Sequence, residues 1–182
     1  MAVAEKIKHT AKDYEKLPEG PPYYQLIEGE LIMSPSPTPE HQEVSINLSY
    51  ILYDIVKKAK KGRVFASPID VYLDQENVFQ PDIVVVLKEG KAKITKKGIE
   101  GPPDIVVEIL SPSTAYYDFT VKKDVYEKAG VKEYWILDPL RKTFEIYANS
   151  QEGFKLISKA KEEGKVKSEL LDIELDLKEV FE

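Results

Sequence analysis

Between residues 38 and 62 the apolar positions Val44, Leu48, Ile51, Leu52, Ile55 and Ala59 recur every three or four residues, the period of one face of a helix. Thr38 stands where an N-cap belongs, Pro39 suits the first helical position, and Gly62 ends the run. Upstream, Thr10 caps a short predicted helix over about residues 11 to 17, which Pro18, Gly20, Pro21 and Pro22 stop. YYQLIEGELIM (residues 23 to 33) reads as a hairpin turning at Gly29, and the proline-rich SPSPTP loop follows it. After residue 62 the pattern becomes β-rich. RVFASPIDVYL, FQPDIVVVL and PDIVVEIL predict three strands, with Asp74 to Asn77 between the first two. The nearly unbroken apolar runs at 83 to 87 and 105 to 110 are those of strands covered on both faces, so central positions in a sheet are expected.

A second helix is predicted over residues 117 to 129, with Gly130 as its C′ residue, followed by the strand EYWILD, which stops at Pro139. TFEIYA and GFKLISK flank NSQEG as a further hairpin, and LLDIELDLKEVF is a tail of mixed character. The order α, three strands, α, strand defines an α/β fold with a mixed central sheet flanked by helices. Hairpin additions extend it at both ends. With no internal repeat or linker, one domain over residues 1–182 is expected, with a core of about 23–140 and a β extension of about 141–182.

Composition narrows the choices. The chain of 182 residues is 42% hydrophobic and 32% charged, rich enough in apolar residues to offset its ordering entropy, so it is globular. Cysteine is absent, which removes disulfides, thiolate zinc sites and cysteine nucleophiles and fits a reducing compartment. No apolar run approaches the ~20 residues of a membrane span, and Glu5, Lys6 and Lys8 interrupt any signal-peptide core, so a cytoplasmic chain without a membrane partner is expected. A net charge of −6 argues against general coating of nucleic acid. Basic character is local: Lys57, Lys58, Lys60 and Lys61 end the first long helix, and Lys88, Lys91, Lys93, Lys96 and Lys97 share one loop.

Two acids stand out against this background. Asp82 opens one central strand after Pro81, and Glu108 interrupts the apolar run from Ile105 to Leu110. A carboxylate withdrawn from water is costly unless it is paired or binds a cation. Either a buried lysine or arginine, or a hard divalent ion such as Mg2+ or Mn2+, would meet that need for Glu108, while Asp82 alone would also serve as a turn cap. An ion between the two acids would activate water and stabilise a phosphodiester transition state.

Pro81-Asp82 followed by Val107-Glu108-Ile109-Leu110-Ser111-Pro112-Ser113-Thr114 resembles the active-site pattern of PD-(D/E)XK nucleases, and is most similar to the Uma-type restriction endonuclease family. The resemblance spans about residues 14 to 140, including YYQLIEGEL, the helix beginning PEH, QPDIVVV, VVEILSPST, YDFTVKKDVYEKAGV and EYWILDP. It implies a restriction-endonuclease-like αβββαβ core, with Asp82, Glu108 and the Ile109 backbone carbonyl as ligands of Mg2+ or Mn2+. One departure is evident: Leu110 occupies the position two after Glu108, where the superfamily pattern has lysine. The family relocates that lysine to the following helix, which points to Lys122. At about 100° per residue, Lys122 lies roughly 60° from the centre of the Val121, Val125 and Ala129 stripe and Lys123 roughly 160° away, so Lys122 is expected to reach inward and Lys123 to face solvent.

His41, in the first turn of its helix, is either a core histidine or, by the resemblance, a site-edge residue near Glu28 and Glu30. Glu30 and Glu28 are secondary ligand candidates. The implied activity is endonucleolytic hydrolysis of nucleic acid, DNA before RNA, by metal-activated water. The alternative is an inactive nuclease-fold binding module in a defence or mobile-element system. No GxxxxGK[ST] phosphate cradle occurs. Two-fold DNA would suit a homodimer, for which Phe144, Ile146, Tyr147 and Phe154 are candidate interface residues if they are not core.

Overall fold

The computed structural model describes residues 8 to 112 and 115 to 182. In chain order its elements are α1 (Ala11–Tyr14), β1 (Tyr24–Ile27), β2 (Glu30–Met33), α2 (Pro39–Lys58), β3 (Gly62–Ala66), β4 (Val71–Tyr72), β5 (Val78–Phe79), β6 (Ile83–Leu87), β7 (Lys93–Ile94), β8 (Ile99–Glu100) and β9 (Ile105–Ile109). Then come α3 (Ala115–Phe119), α4 (Val121–Ala129), β10 (Glu133–Asp138), β11 (Thr143–Ser150), β12 (Gly153–Lys161), β13 (Lys165–Ser168), β14 (Ile173–Asp176) and α5 (Leu177–Phe181).

The principal sheet runs β12-β11-β10-β9-β6-β3. It is mixed, because β9 and β10 are parallel while the other neighbours are antiparallel. The helix-bearing crossover between β9 and β10 is what a parallel pair requires. β6, β9 and β10 are internal and nearly continuously apolar, as strands covered on both faces must be. Side-chain alternation then divides the interior in two. Ile83, Val85, Ile105, Val107, Trp135 and Leu137 face α2 and α5, whereas Val84, Val106, Tyr134 and Ile136 face α4 through Tyr126.

Several expectations change in detail. The two β-rich segments before Leu87 each divide between sheets. β3 and β6 join the principal sheet, while β4 and β5 join a second one ordered β2-β1-β5-β4-β8-β7. Pro68 lies within the first break and Pro81 within the second, where a residue without an N–H cannot extend a ladder. The N-terminal helix is only Ala11–Tyr14. The helix expected over 117 to 129 is two, because Thr120 leaves helical geometry at φ −119° and ψ −88°. Gly29 and Gly130 are placed as expected: both have positive φ, at the hairpin turn and after α4 respectively. The mixed tail resolves into the β13–β14 hairpin and α5. Phe144 and Ile146 are fully buried, and Tyr147 and Phe154 pack against the α4-side core, so these four residues are spent on the fold rather than left for a dimer interface.

Among the described residues no helix is long and apolar enough to cross a membrane.

Candidate active site

Asp82 and Glu108 meet because of strand register. In the antiparallel pairing of β6 with β9, Ile83 opposes Val107; one residue further, Asp82 stands across from Glu108 at the same rim of the sheet. Directly opposed residues project to the same face with Cβ atoms about 4.5–5.5 Å apart. Asp82 is held by two groups: the Ile109 N–H donates to Oδ2 at 2.6 Å, and His41 Nε2 lies 3.3 Å from Oδ1. Glu108 is 3% exposed and is gripped from α4, where Lys122 Nζ lies 3.1 Å from Oε1 and the Tyr126 hydroxyl donates to the same oxygen at 2.8 Å.

Lys122 carries a second load. Its ammonium is 3.0 Å from Asp118 Oδ1, four residues earlier near the end of α3, so one buried cation serves two buried carboxylates. Oδ1 of Asp118 has that ion-pair contact without well-directed hydrogen-bond geometry. The Tyr134 hydroxyl donates to the Asp118 carbonyl at 2.8 Å and ties the α3 end to β10. Phe79, Tyr126 and Tyr134 wall the cluster off from water: Phe79 meets Tyr126 edge-on, Tyr126 packs on Tyr134, and Lys122 Nζ lies 5.9 Å above the Phe79 ring.

This setting determines the charges. Burial raises the Glu108 carboxyl, and the attraction of Lys122 does not cancel that rise because Asp118 and Asp82 add to it. Lys122 is raised: burial opposes its charge, but Glu108 and Asp118 more than compensate. His41 is likewise raised overall, since its bond to Asp82, the Asp82 charge and the Ile109 backbone outweigh desolvation. Three carboxyl groups, those of Asp82, Glu108 and Asp118, thus gather around the one lysine, with His41 at the Asp82 edge.

The site residues read from the sequence thus separate into groups. Asp82, Glu108, Ile109 and Lys122 come together, with His41 joined to Asp82 and Ile109. His41, in the first turn of α2 on its core-facing side, is buried and makes its ion-pair contact with Asp82. Glu28 and Glu30 instead help line a small cavity of about 230 Å³ with Ile27, Ile32, Tyr117 and Val121, on the α4 side of the second sheet. Lys122 points inward and is 2% exposed. Lys123, expected to face solvent, lies half-buried with its ammonium 3.6 Å over the Tyr147 ring. Asp118 and Tyr126 were not singled out from the sequence. Their signal is the four-residue step from Asp118 to Lys122 to Tyr126, which would place all three on one face of the helix expected over 117 to 129.

The donors suit a small hard cation. Carboxylates and a backbone carbonyl are the oxygen ligands that Mg2+ and Mn2+ take, and a divalent ion beside Glu108 would favour the ionised form that burial opposes. Among the described residues, no group of three or more His, Asp or Glu side chains stands ready as an ion cage. Two carboxylates completed by water and substrate oxygens would be the form such a site takes.

Residues 11–178 match the Uma2 family, described as "Putative restriction endonuclease". In Synechocystis sp. (strain ATCC 27184 / PCC 6803 / Kazusa), the "Uncharacterized protein sll1609" is 26% identical over 116 residues, 63% of this chain and 65% of that protein. The chain therefore spans just under two thirds of that relative. The crystal structure of "a putative nuclease belonging to DUF820" from Anabaena variabilis ATCC 29413 has a TM-score of 0.78 at 24% identity, covering 94% of this chain and 97% of that one. At that identity the likeness carries the fold alone. With the family match running through α1 to the start of α5, the chain belongs to the Uma2 family.

Proposed function

We propose that this chain is an endonuclease that hydrolyses phosphodiester bonds of DNA with the help of Mg2+ or Mn2+, using the cluster at the Asp82–Glu108 rim. The observation that carries the reading is a buried lysine shared by two buried acids, one of which faces Asp82 across paired strands. Asp82, Glu108 and the Ile109 carbonyl would hold the ion. When bound, it would draw charge from the phosphate and lower the pKa of water.

The chain's own residues then have separate tasks. The Ile109 N–H and His41 fix the Asp82 carboxylate in one orientation, and Tyr126 does the same for Glu108. Lys122 is a preorganised positive charge for an attacking water and for the developing negative charge on phosphate. Its aromatic surroundings exclude bulk solvent, which strengthens that field. The lysine-rich loop after β6 offers local contacts to a phosphate backbone despite the net negative charge.

The test is cleavage of supercoiled and single-stranded DNA with Mn2+ by wild type, Asp82→Ala, Lys122→Ala and Lys123→Ala. Cleavage by wild type, its loss in Asp82→Ala and its reduction in Lys122→Ala support the proposal. A wild type that binds Mn2+ and cuts neither substrate would replace it with a non-catalytic binding module. Equal activity of both lysine variants with wild type would remove Lys122 from the mechanism.

A further inference from the structure

The 20-residue helix α2 buries one face through His41, Val44, Leu48, Leu52 and Val56, yet its opposite face is not a uniformly polar surface. Ile46 is 64% exposed, Tyr50 72% and Tyr53 48%. Glu43, also exposed, precedes them and exposed Lys57 follows, so the order is Glu43, Ile46, Tyr50, Tyr53, Lys57. The steps of three and four residues alternate, as in the contact seam of two packed helices. On a helical wheel the five positions fall within an arc of about 80°, and their span is about 21 Å along the axis. Lys57 leans over the Tyr53 ring and bonds its hydroxyl, so cation and aromatic are presented together.

We infer that this face of α2 is a two-fold interface with a second copy of this chain, the two helices antiparallel and crossing at Tyr50. The pattern is self-complementary about Tyr50. Reversing the helix sets Tyr50 against its symmetry mate, Ile46 against Tyr53 of the other copy, and Glu43 against Lys57 of the other copy. A two-fold contact demands this reciprocity, with each patch meeting itself in reverse. Acidic residues gather at the start of the helix and basic ones at its end, Glu40 and Glu43 against Lys57 and Lys58, so antiparallel packing brings opposite charges together at both ends. A parallel pairing would oppose like charges. The stripe lies opposite the His41 side of α2, so this interface and the nuclease reading stand or fall separately.

A single helix face is small for an interface, so the dimer is expected to be weak, with dissociation on the order of micromolar concentrations. Sedimentation velocity of the full chain across a concentration series should show a reversible monomer–dimer equilibrium. Glu43→Lys creates two like-charge oppositions and should weaken dimerisation by about tenfold or more. The combined Glu43→Lys and Lys57→Glu chain should recover most of the lost affinity. The two positions are 14 residues apart on one helix and cannot restore each other within a single copy. Tyr50→Glu should give monomer throughout the series. A wild-type monomer at every concentration, or a charge swap that fails to recover association, overturns the inference.

Discussion

Glu108 and Glu133 are both glutamates on the interior of the same sheet, 3% and 2% exposed, on the parallel neighbours β9 and β10. They solve burial differently. Glu133 accepts hydrogen bonds from Trp135 Nε1 at 2.8 Å, Ser168 Oγ at 2.7 Å and the Leu170 N–H at 2.8 Å. All three donors are neutral and local to the β13–β14 hairpin or its own strand, so this carboxylate pins the C-terminal extension to the sheet. Glu108, roughly 10 Å further along the strands and on the other face, meets a cation, a tyrosine and further acids. A buried carboxylate satisfied by neutral donors is a structural tie. One placed among acids that outnumber their cation is a site prepared to receive more positive charge.

The sharpest contrast is expected in activity. Asp82→Ala and Glu108→Gln should each lower Mn2+-supported cleavage by roughly 10³-fold, the scale of losing a ligand to a charge that stabilises the transition state. Lys122→Ala should lower it by about 10²-fold, measured against Lys123→Ala, which is expected to stay within about twofold of wild type because it touches Tyr147 and not the acids. The structure adds a consequence that inward orientation alone did not carry. Removing Lys122 leaves Glu108 and Asp118 buried without their cation, so Lys122→Ala should also lose about 3–5 kcal/mol of stability, and its assay belongs well below its midpoint of unfolding.

Glu133→Ala should reverse the pattern. It strands the buried Trp135 and Ser168 donors and the half-buried Leu170 N–H and should cost about 3 kcal/mol or more, with cleavage per folded molecule near wild type. Denaturant unfolding followed by Trp135, the single tryptophan, measures this directly. A large activity loss in folded Glu133→Ala would blur the distinction between the two glutamates.

A smaller effect concerns pH in metal-free protein. Burial pushes Glu108 up to about 8, above its ordinary value of 4.5, so its protonated form favours the fold. That contribution is fully present below about 4.5 and is lost as pH rises through about 8. His41, also raised, acts with the same sign from its ordinary value of 6.5 upward, whereas Lys122 stays charged throughout this window. Glu108→Gln should therefore flatten the fall in unfolding free energy between those limits without abolishing it. An unchanged slope would contradict the charge assignment.

Much of this was legible in the sequence because period and burial are linked. The runs 83–87 and 105–110 read as doubly covered strands, and they are internal in the sheet. The charges within or beside such runs marked Asp82 and Glu108; the family resemblance pointed to Lys122, helical spacing turned it inward, and its contact with Glu108 is seen in the structure. Other features depended on tertiary pairing that local pattern does not encode. The two segments before Leu87 look continuous, but the division between sheets places Phe79 over the Lys122 cluster and Ile83 in the opposite layer. Likewise, Lys123 has solvent-facing geometry on its helix, and only β11 lying beside it supplies the ring it covers. Glu133 drew no notice because its three partners include residues 35 and 37 positions away.

The most direct measurement is Mn2+-dependent cleavage of supercoiled DNA by wild type, Glu108→Gln and Glu133→Gln, each confirmed folded by its unfolding curve. The account predicts comparable nicking by wild type and Glu133→Gln and almost none by Glu108→Gln. Equal cleavage by Glu108→Gln and wild type would contradict it.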